Sequence, residues 1–146
     1  MSRLSSILRW ARAHSLWVIH FNTGSCNGCD LEVVVAATPR FDVERFGILL
    51  QGSPRHADVI AFTGPLTRQA EARAKRIYAQ LSHPKYAIAI GACALSGGPF
   101  HDHYNVRKGV KDSFPVDVFV PGCPPRPEAI IHGFIKLKEK VLQSHE

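Results

Sequence analysis

The sequence predicts an α/β fold whose mostly parallel sheet of four or five strands is covered by helices on both faces. Two observations carry this prediction: short apolar segments recur along the chain, and segments with helical spacing of apolar residues separate them. The segments expected to form strands are residues 16–21, 48–50, 57–63, 88–90 and 116–120. Each is apolar and partly β-branched, which is typical of buried strands. Because crossovers between parallel strands are right-handed, the loops after the strands should share one edge of the sheet.

The segments around these strands have the features of helices. The expected helices span residues 3–14, 30–38, about 67–81 and 127 onward. The first is a short amphipathic helix with arginines off its apolar face; Thr67 is placed to cap the third helix, and Pro127 to begin the last. Residues 92–113 are rich in glycine and polar residues and should be the least regular part. We therefore expect an N-terminal amphipathic helix over residues 1–15 and one α/β domain over residues 16–146.

The composition restricts the classes of partner and the cellular compartment. The 146-residue chain has a formal net charge of +6, so nucleic acid or an anionic membrane surface has to be considered. Its basic residues are scattered over three helices without interleaved aromatic residues, which favours solvated or docking surfaces over nucleic-acid binding. No apolar run approaches the roughly 18–20 residues of a membrane span, and the N-terminus makes a poor signal peptide. We therefore expect a cytoplasmic protein with reduced cysteines.

All four cysteines follow predicted strands. Cys26 and Cys29 come after the first strand, Cys93 after the fourth and Cys123 after the last. If the strands are parallel, the four thiols meet at the carboxyl edge of the sheet, where open α/β sheets bind ligands. Four converging thiolates suit an iron–sulfur cluster of the [4Fe–4S] type. The sequence therefore predicts that these four residues bind one such cluster.

Other uses of the cysteines remain open at this stage. A structural zinc ion usually takes two short Cys/His pairs, whereas only Cys26 and Cys29 are paired in this chain. A thioredoxin-like redox pair at the same two positions would leave Cys93 and Cys123 without a role. A zinc-stabilised binding module is thus the alternative from a different functional class.

Few other residues stand out as candidates for chemistry. Glu32 is the carboxylate of interest beside the first cysteine loop, and it could relay protons or act as a helix-start acid. His20 lies in a strand and is interpreted as a core or edge residue. His101 and His103 lie in a polar loop, for which solvent exposure is the simplest interpretation. No catalytic residue is expected in this chain beyond the possible proton relay at Glu32.

Four sequence blocks form a specific combination: GSCNGCDLE at 24–32, GSPRHAD at 52–58, GAC at 91–93 and VPGCPPRP at 120–127. Together they resemble the small subunit of energy-converting, membrane-bound [NiFe]-hydrogenases, over nearly the whole chain. The same superfamily includes the cluster-bearing subunit of respiratory complex I that lies nearest the quinone. The complex I subunit carries two adjacent cysteines at the first site, whereas two residues separate Cys26 from Cys29 here, as in hydrogenases. Sulfur-reducing and other ferredoxin-linked relatives share this spacing.

The resemblance implies a flavodoxin-like domain with one proximal [4Fe–4S] cluster bound by Cys26, Cys29, Cys93 and Cys123. It also implies partners: a large subunit with a nickel–iron centre, a two-cluster ferredoxin-like subunit, and membrane subunits that hold the chain at the inner face of the cell membrane. Proton reduction to H₂, or the reverse, would occur in the large subunit. Glu32 matches an acidic position near the large subunit, and residues 55–56 match a block facing the same junction. An equivalent subunit of a quinone- or sulfur-reducing complex is the alternative.

Overall fold

Five parallel strands form one sheet in the order β2-β1-β3-β4-β5 in the computed structural model, which describes the backbone of residues 3–143 and the side chains of residues 7–143. The strands are β1 (Leu16–Asn22), β2 (Ile48–Leu50), β3 (Val59–Thr63), β4 (Tyr86–Ile90) and β5 (Val118–Val120). This order is that of flavodoxin-like folds, so the predicted fold class is confirmed. The chain reverses its direction of travel across the sheet between β1 and β3, which is the position where such sheets bind ligands.

Helices cover both faces of the sheet. They are α1 (Arg3–His14), α2 (Gly28–Ala36), α3 (Arg68–Gln80), α4 (Ala92–Ser96) and α5 (Pro127–Gln143). On one face, α2 and α5 pack on a core that contains Val18, Ile88 and Phe134. On the other face, α3 and α4 pack on a separate core that contains Ile60 and Phe62. Because successive residues of β3 point to opposite faces and both faces are covered, all five residues of this strand are buried.

The helix and strand boundaries differ from the predicted ones in ways that have local causes. Thr67 caps α3 as expected, with its Oγ1 accepting a hydrogen bond from the Ala70 amide at 3.2 Å. The third strand begins at Val59 instead of residue 57, and directly before it the Asp58 carboxylate accepts hydrogen bonds from the Trp17 amide (3.4 Å) and the Ser82 hydroxyl (3.2 Å). The Asp58 backbone still bonds to both neighbouring strands, because its amide donates to the Trp17 carbonyl at 2.8 Å and its carbonyl accepts from the Tyr86 amide at 2.9 Å.

Two helix predictions were wrong, and both concern cysteines. The second helix begins at Gly28 instead of residue 30, so Cys29 lies in its first turn. Cys93 was expected in an irregular segment, yet it lies in α4, and the amide of Gly97 at the end of this helix donates to the Cys93 carbonyl at 2.8 Å. Glycines on both sides obscured this short helix in the sequence, because they are usually a sign of loops.

The N-terminal helix was predicted correctly over its described length, and it lies against α5. Residues 1–2 of the predicted N-terminal segment and residues 144–146 of the predicted domain lie outside the described residues. The division of the chain at residue 15 stays a prediction. Among the helices that the structure describes, none has the length and apolar character needed to cross a membrane.

Candidate metal centre

The four cysteines come together at the carboxyl edge of the sheet, as the sequence predicted. They surround one small pocket with a cavity volume of about 30 Å³. The rest of its lining consists of small residues: Ser25, Gly28, Gly64, Ala92, Gly122 and Pro124. Small residues leave room for a compact group between the thiols. The arrangement is therefore a pocket in which sulfur atoms are the main chemically reactive groups.

Three separate parts of the chain supply the thiols. Cys26 lies in the loop after β1, Cys29 in the first turn of α2, Cys93 in α4 and Cys123 in the turn after β5. Backbone hydrogen bonds join two of these parts: the Gly91 amide donates to Val120 and the Ala92 amide to Gly122, both at 2.8 Å. Cys29 is only 8% exposed and Cys93 is half-buried, whereas Cys26 and Cys123 are exposed. The pocket thus has a buried wall and an open rim.

Glycines allow close packing behind the buried thiols. Gly91 has φ 89° and ψ 154°, and a Cβ at this position would overlap Sγ of Cys29. A Cβ on Gly98, whose φ is 53°, would lie 2.9 Å from Sγ of Cys93. Only glycine adopts the first conformation readily. The backbone itself therefore forms part of the wall against which these two sulfur atoms lie.

The electrostatics of the pocket favour a positively charged ligand. Burial, followed by the nearby Cys93 and Cys26 thiols, raises the pKa of Cys29 to about 11. Burial and the Cys123 and Cys26 thiols also raise the pKa of Cys93. Thiolates that repel one another in this way need compensating charge, which iron or another thiophilic metal provides on binding. The donor set therefore fits an iron–sulfur cluster bound by four thiolates.

Within residues 7–143, no three Cys, His, Asp or Glu side chains are grouped tightly enough to hold a single metal ion. In a tetrahedral zinc site with Zn–S bonds of about 2.3 Å, the sulfur atoms must lie only about 3.8 Å apart. Metal analysis of the purified chain therefore distinguishes zinc from an iron–sulfur cluster at these cysteines.

A hydrogen-bond network that the sequence analysis missed supports the first cysteine loop. Its centre is Asp30, which accepts hydrogen bonds from Ser25, from Thr63 and from Nδ2 of Asn22 (2.8 Å), and lies 2.8 Å from Nε2 of His20. Burial alone would raise the pKa of Asp30, but the hydrogen bonds from Ser25 and Thr63 and the proximity of His20 outweigh it and lower that pKa. The network connects the middle of the sheet to Ser25 and Asp30, which flank the segment from Cys26 to Cys29.

Asn22 fixes the same loop from the end of β1. Its Oδ1 accepts hydrogen bonds from the amides of Gly24 (2.8 Å) and Ser25 (2.9 Å). The Thr23 hydroxyl donates to the carbonyls of Thr63 and Gly64 at 2.8 and 2.9 Å. An asparagine directly after a strand and an acid in the first turn of a helix were the signals in the sequence that could have revealed this support.

A second network holds the segment that follows Cys93. Buried Glu71 on α3 accepts hydrogen bonds from Nε of Arg107 and Oγ of Ser113, both at 2.9 Å, and lies 2.8 Å from Nζ of Lys75. The hydrogen bonds from Lys75 and Arg107 lower the pKa of Glu71 to about 2. Because this carboxylate is ionised and satisfied, it fastens residues 107–113 to α3 and so stabilises the region behind α4.

The remaining predicted candidates lie at different distances from the pocket. Glu32 is half-buried on α2, one turn after the pocket, and no hydrogen bond or ion pair to the described residues holds its carboxylate. Arg55 and His56 are exposed, and the His56 ring lies 6.3 Å from that of Trp17, near the start of β1. They are therefore separated from the cysteines by most of the strand's length, and their place at a subunit junction stays a prediction.

The three other histidines named as candidates also have defined places. His20 is half-buried in β1 and contacts Asp30 and Thr63, so it supports the cysteine loop in addition to being the strand residue that was expected. His101 and His103 are exposed in the segment after α4, as predicted. His101 lies 3.0 Å from Asp102, and His103 packs near the Phe100 ring. Neither histidine lines the cysteine pocket.

An exposed apolar patch lies on the helix that supplies Cys29. Leu31 and Val34 on α2 are 64% and 61% exposed, although the same helix buries Val33 and Ala36 in the core. Adjacent exposed apolar side chains on a helix are typical of surfaces that a partner covers. The helix that supplies Cys29 therefore also presents an exposed apolar side.

Comparison with known proteins identifies related chains. Residues 26–137 match the family described as NADH ubiquinone oxidoreductase, 20 Kd subunit. The chain is 54% identical over 127 residues to a probable membrane-bound hydrogenase subunit of Pyrococcus furiosus, covering 87% of this chain and 76% of that protein. It is 44% identical over 142 residues to an NADH-quinone oxidoreductase subunit of Carboxydothermus hydrogenoformans, covering 97% of this chain and 84% of that protein.

Solved structures contain the same architecture. A chain of the membrane-bound sulfane sulfur reductase, an archaeal respiratory membrane complex, superposes with a TM-score of 0.85 at 38% identity, over 96% of this chain and 77% of that one. A chain of an NAD⁺-reducing [NiFe]-hydrogenase superposes with a TM-score of 0.64 at 16% identity, over 86% of this chain and 92% of that one. The second similarity establishes the fold alone.

Proposed function

The chain belongs to the NADH ubiquinone oxidoreductase 20 Kd subunit family, and on this premise we propose that it is an electron-transfer subunit that carries one [4Fe–4S] cluster. Its relatives are subunits of oxidoreductase complexes, including hydrogenase and NADH-quinone oxidoreductase subunits. The observation that carries the proposal is the meeting of four thiols, from three separate parts of the chain, around one pocket. The chain would thus serve as a non-catalytic redox subunit.

The proposed ligands are Cys26, Cys29, Cys93 and Cys123. Bound there, the cluster would supply reversible one-electron transfer. The chain's own residues would set its surroundings: buried Cys29 and the glycine wall exclude water on one side, and the open rim at Cys26 and Cys123 faces outward. Solvent exposure and hydrogen bonds to the sulfur atoms are the means by which a protein adjusts cluster potential.

The proposed electron partner is the nickel–iron centre of a large subunit. The apolar side of α2, formed by Leu31 and Val34, lies on the helix that supplies Cys29 and offers a surface for that subunit. Glu32 lies on the same helix, and no described residue pairs with its carboxylate, which would place a proton acceptor at this interface. A two-cluster ferredoxin-like subunit would deliver electrons, and membrane subunits would hold the assembly at the inner face of the cell membrane.

A specific observation favours a second candidate within the same fold. The sulfane sulfur reductase chain is 38% identical and superposes closely. The equivalent subunit of a sulfur- or quinone-reducing complex is therefore the alternative, with the same cluster but a large partner that lacks nickel. Metal analysis of the co-purified large subunit distinguishes the two: nickel supports the hydrogenase assignment, and its absence supports the alternative.

The experiment for the cluster itself uses anaerobically purified full-length chain. We expect about four iron and four sulfide per chain, visible absorbance near about 400 nm, and a paramagnetic signal after reduction. Cys93→Ser should lose the cluster and its signal while much of the fold survives, because the other contacts of α4 remain. Ser96→Ala, in the same helix but outside the pocket, is the matched control and should keep the iron.

Two results would contradict the proposal. Colourless protein with stoichiometric zinc would support a zinc-stabilised binding module instead. Full iron content and an unchanged spectrum in Cys93→Ser would show that Cys93 is not a ligand.

A further inference from the structure

The N-terminal helix α1 holds its apolar side away from the rest of the protein. Ile7, Leu8 and Trp10 are 61%, 49% and 59% exposed, and Ala11 is exposed as well. Ala13 is fully buried and lies roughly 120–160° round the helix from Ile7, Leu8 and Ala11. Amphipathic helices normally turn the apolar stripe toward the core. Here the opposite side makes the contact, and the apolar stripe of α1 faces outward.

This outward stripe is held in place. The helix lies against α5, and its end joins β1 directly through Ser15, whose amide donates to the Arg12 carbonyl at 3.1 Å. The Trp10 ring stacks on His14 with 4.4 Å between ring centroids, and Nδ1 of His14 lies 2.8 Å from the Trp10 carbonyl. The tryptophan is therefore fixed on the helix surface while most of its ring stays accessible.

The charges beside the stripe narrow the class of ligand. Arg12 is exposed at the border of the stripe, and the chain contains no acidic residue before Asp30. An apolar stripe with Trp on one side and Arg on the other is the pattern of helices that lie in a membrane interface. Anionic headgroups attract the arginine, and the amphipathic indole favours the boundary between headgroups and acyl chains.

We propose that α1 binds directly to the surface of an anionic lipid bilayer, with Ile7, Leu8 and Trp10 inserted at the headgroup boundary. At 12 residues the helix is about 18 Å long, which suffices to lie on a bilayer but not to cross one. The inference goes beyond electron transfer: the chain would contribute its own membrane contact in addition to any made through partner subunits. It depends neither on the cluster nor on the identity of the large subunit.

The test is flotation of purified full-length chain with vesicles. Vesicles of phosphatidylcholine with about 30% phosphatidylglycerol should bind the chain, and pure phosphatidylcholine should bind it much less. Raising the salt concentration should weaken the binding because it screens the arginines. Lipids brominated near the headgroup should quench part of the tryptophan fluorescence, and Trp10→Phe should remove that quenching while Trp17 remains as the internal reference.

Variants distinguish the stripe from general exposure of apolar surface. The double variant Ile7→Ser/Leu8→Ser should lose about tenfold or more in affinity for the anionic vesicles. Arg12→Gln should lose about fivefold on anionic vesicles and almost nothing on neutral ones. Leu31→Ser/Val34→Ser is the matched control, because it removes two apolar side chains of similar exposure from α2, and it should bind like the parent chain.

Several outcomes would overturn the proposal. The parent chain could fail to float with anionic vesicles, or the control on α2 could lose binding as strongly as the variant on α1. If instead the chain formed dimers that Ile7→Ser/Leu8→Ser dissolves, without vesicle binding, the stripe would be a protein interface. Far-UV circular dichroism of each variant would exclude loss of the fold as the cause of lost binding.

Discussion

Gly91 offers the sharpest test of the close packing behind the thiols. Its φ of 89° and ψ of 154° lie in a backbone region that is essentially restricted to glycine. A Cβ there would overlap Sγ of Cys29, and the Gly91 amide is already bonded to the Val120 carbonyl, so the backbone has little freedom to retreat. We expect Gly91→Ala to lower the free energy of unfolding and to displace the Cys29 thiol from the pocket.

The size of the effect on stability follows from three contributions. Backbone strain for alanine in this region costs about 1–3 kcal/mol. Forcing the Cys29 side chain away from its rotamer costs about 0.5–1.5 kcal/mol more. The lower entropy of the unfolded chain offsets about 0.4–1 kcal/mol. The net loss for Gly91→Ala is therefore about 0.5–4 kcal/mol, and each kcal/mol should lower the melting temperature by roughly 2–4 °C.

The assay compares Gly91→Ala with Gly52→Ala after identical anaerobic reconstitution. Gly52 is the matched control because a Cβ there would meet no atom within 4 Å. Iron and sulfide per chain should fall well below the parent value in Gly91→Ala and stay unchanged in Gly52→Ala. Melting curves of the two variants give the stability difference. A Gly91→Ala protein with full iron content and the parent melting temperature would refute the argument that this backbone contact shapes the site.

Three further predictions concern single polar side chains. Glu71→Gln should lower the free energy of unfolding by about 1–2 kcal/mol at pH 7. The lowered Glu71 pKa of about 2 would correspond to a larger effect, but the basic partners of Glu71 are half-exposed and solvent screens their charge. The stabilising contribution of the Glu71 carboxylate is present above about pH 4.5 and is lost as the pH falls toward 2. The melting temperatures of Glu71→Gln and the parent chain should therefore converge near pH 2. Glu139→Gln, at an exposed position, is the control. Asn22→Ala should speed the loss of iron to a chelator severalfold without changing the amount of iron bound at the start, because it removes the hydrogen bonds that hold the first cysteine loop. An unchanged rate of iron loss would show that Asn22 does not hold the loop. Glu32→Gln should slow turnover of the assembled complex while the cluster signal is unchanged, and unaltered turnover would show that Glu32 carries no proton.

Local signals accounted for most of the fold. Strands were found because their apolar residues are consecutive, and α3 was found because Thr67 precedes a helical pattern as a capping residue. The same kind of signal failed for α4, which is short and bounded by Gly91 and Gly97. Its helical turn depends on hydrogen bonds to residues that the rest of the sheet fixes in place.

The sequence predicted which cysteines form the candidate site, but not the hydrogen bonds that support them. The order of strands, helices and cysteines places Cys26, Cys29, Cys93 and Cys123 at one edge, since parallel strands end together. The support of that edge by Asp30 depends on His20 and Thr63, which come from two neighbouring strands. Contacts between residues that are distant in the chain leave no periodic pattern, and sequence inspection alone could not identify them.

The amino-acid sequence by itself determined the α/β class, the identity of the four sulfur donors and the amphipathic character of the N-terminal helix, because each follows from spacing along the chain. Only the tertiary structure decided which way that helix faces, that Arg55 and His56 lie far from the thiols, and that Gly91 closes the wall behind Cys29. The physical reason is that orientation and proximity depend on how elements pack, and packing is a property of the whole fold.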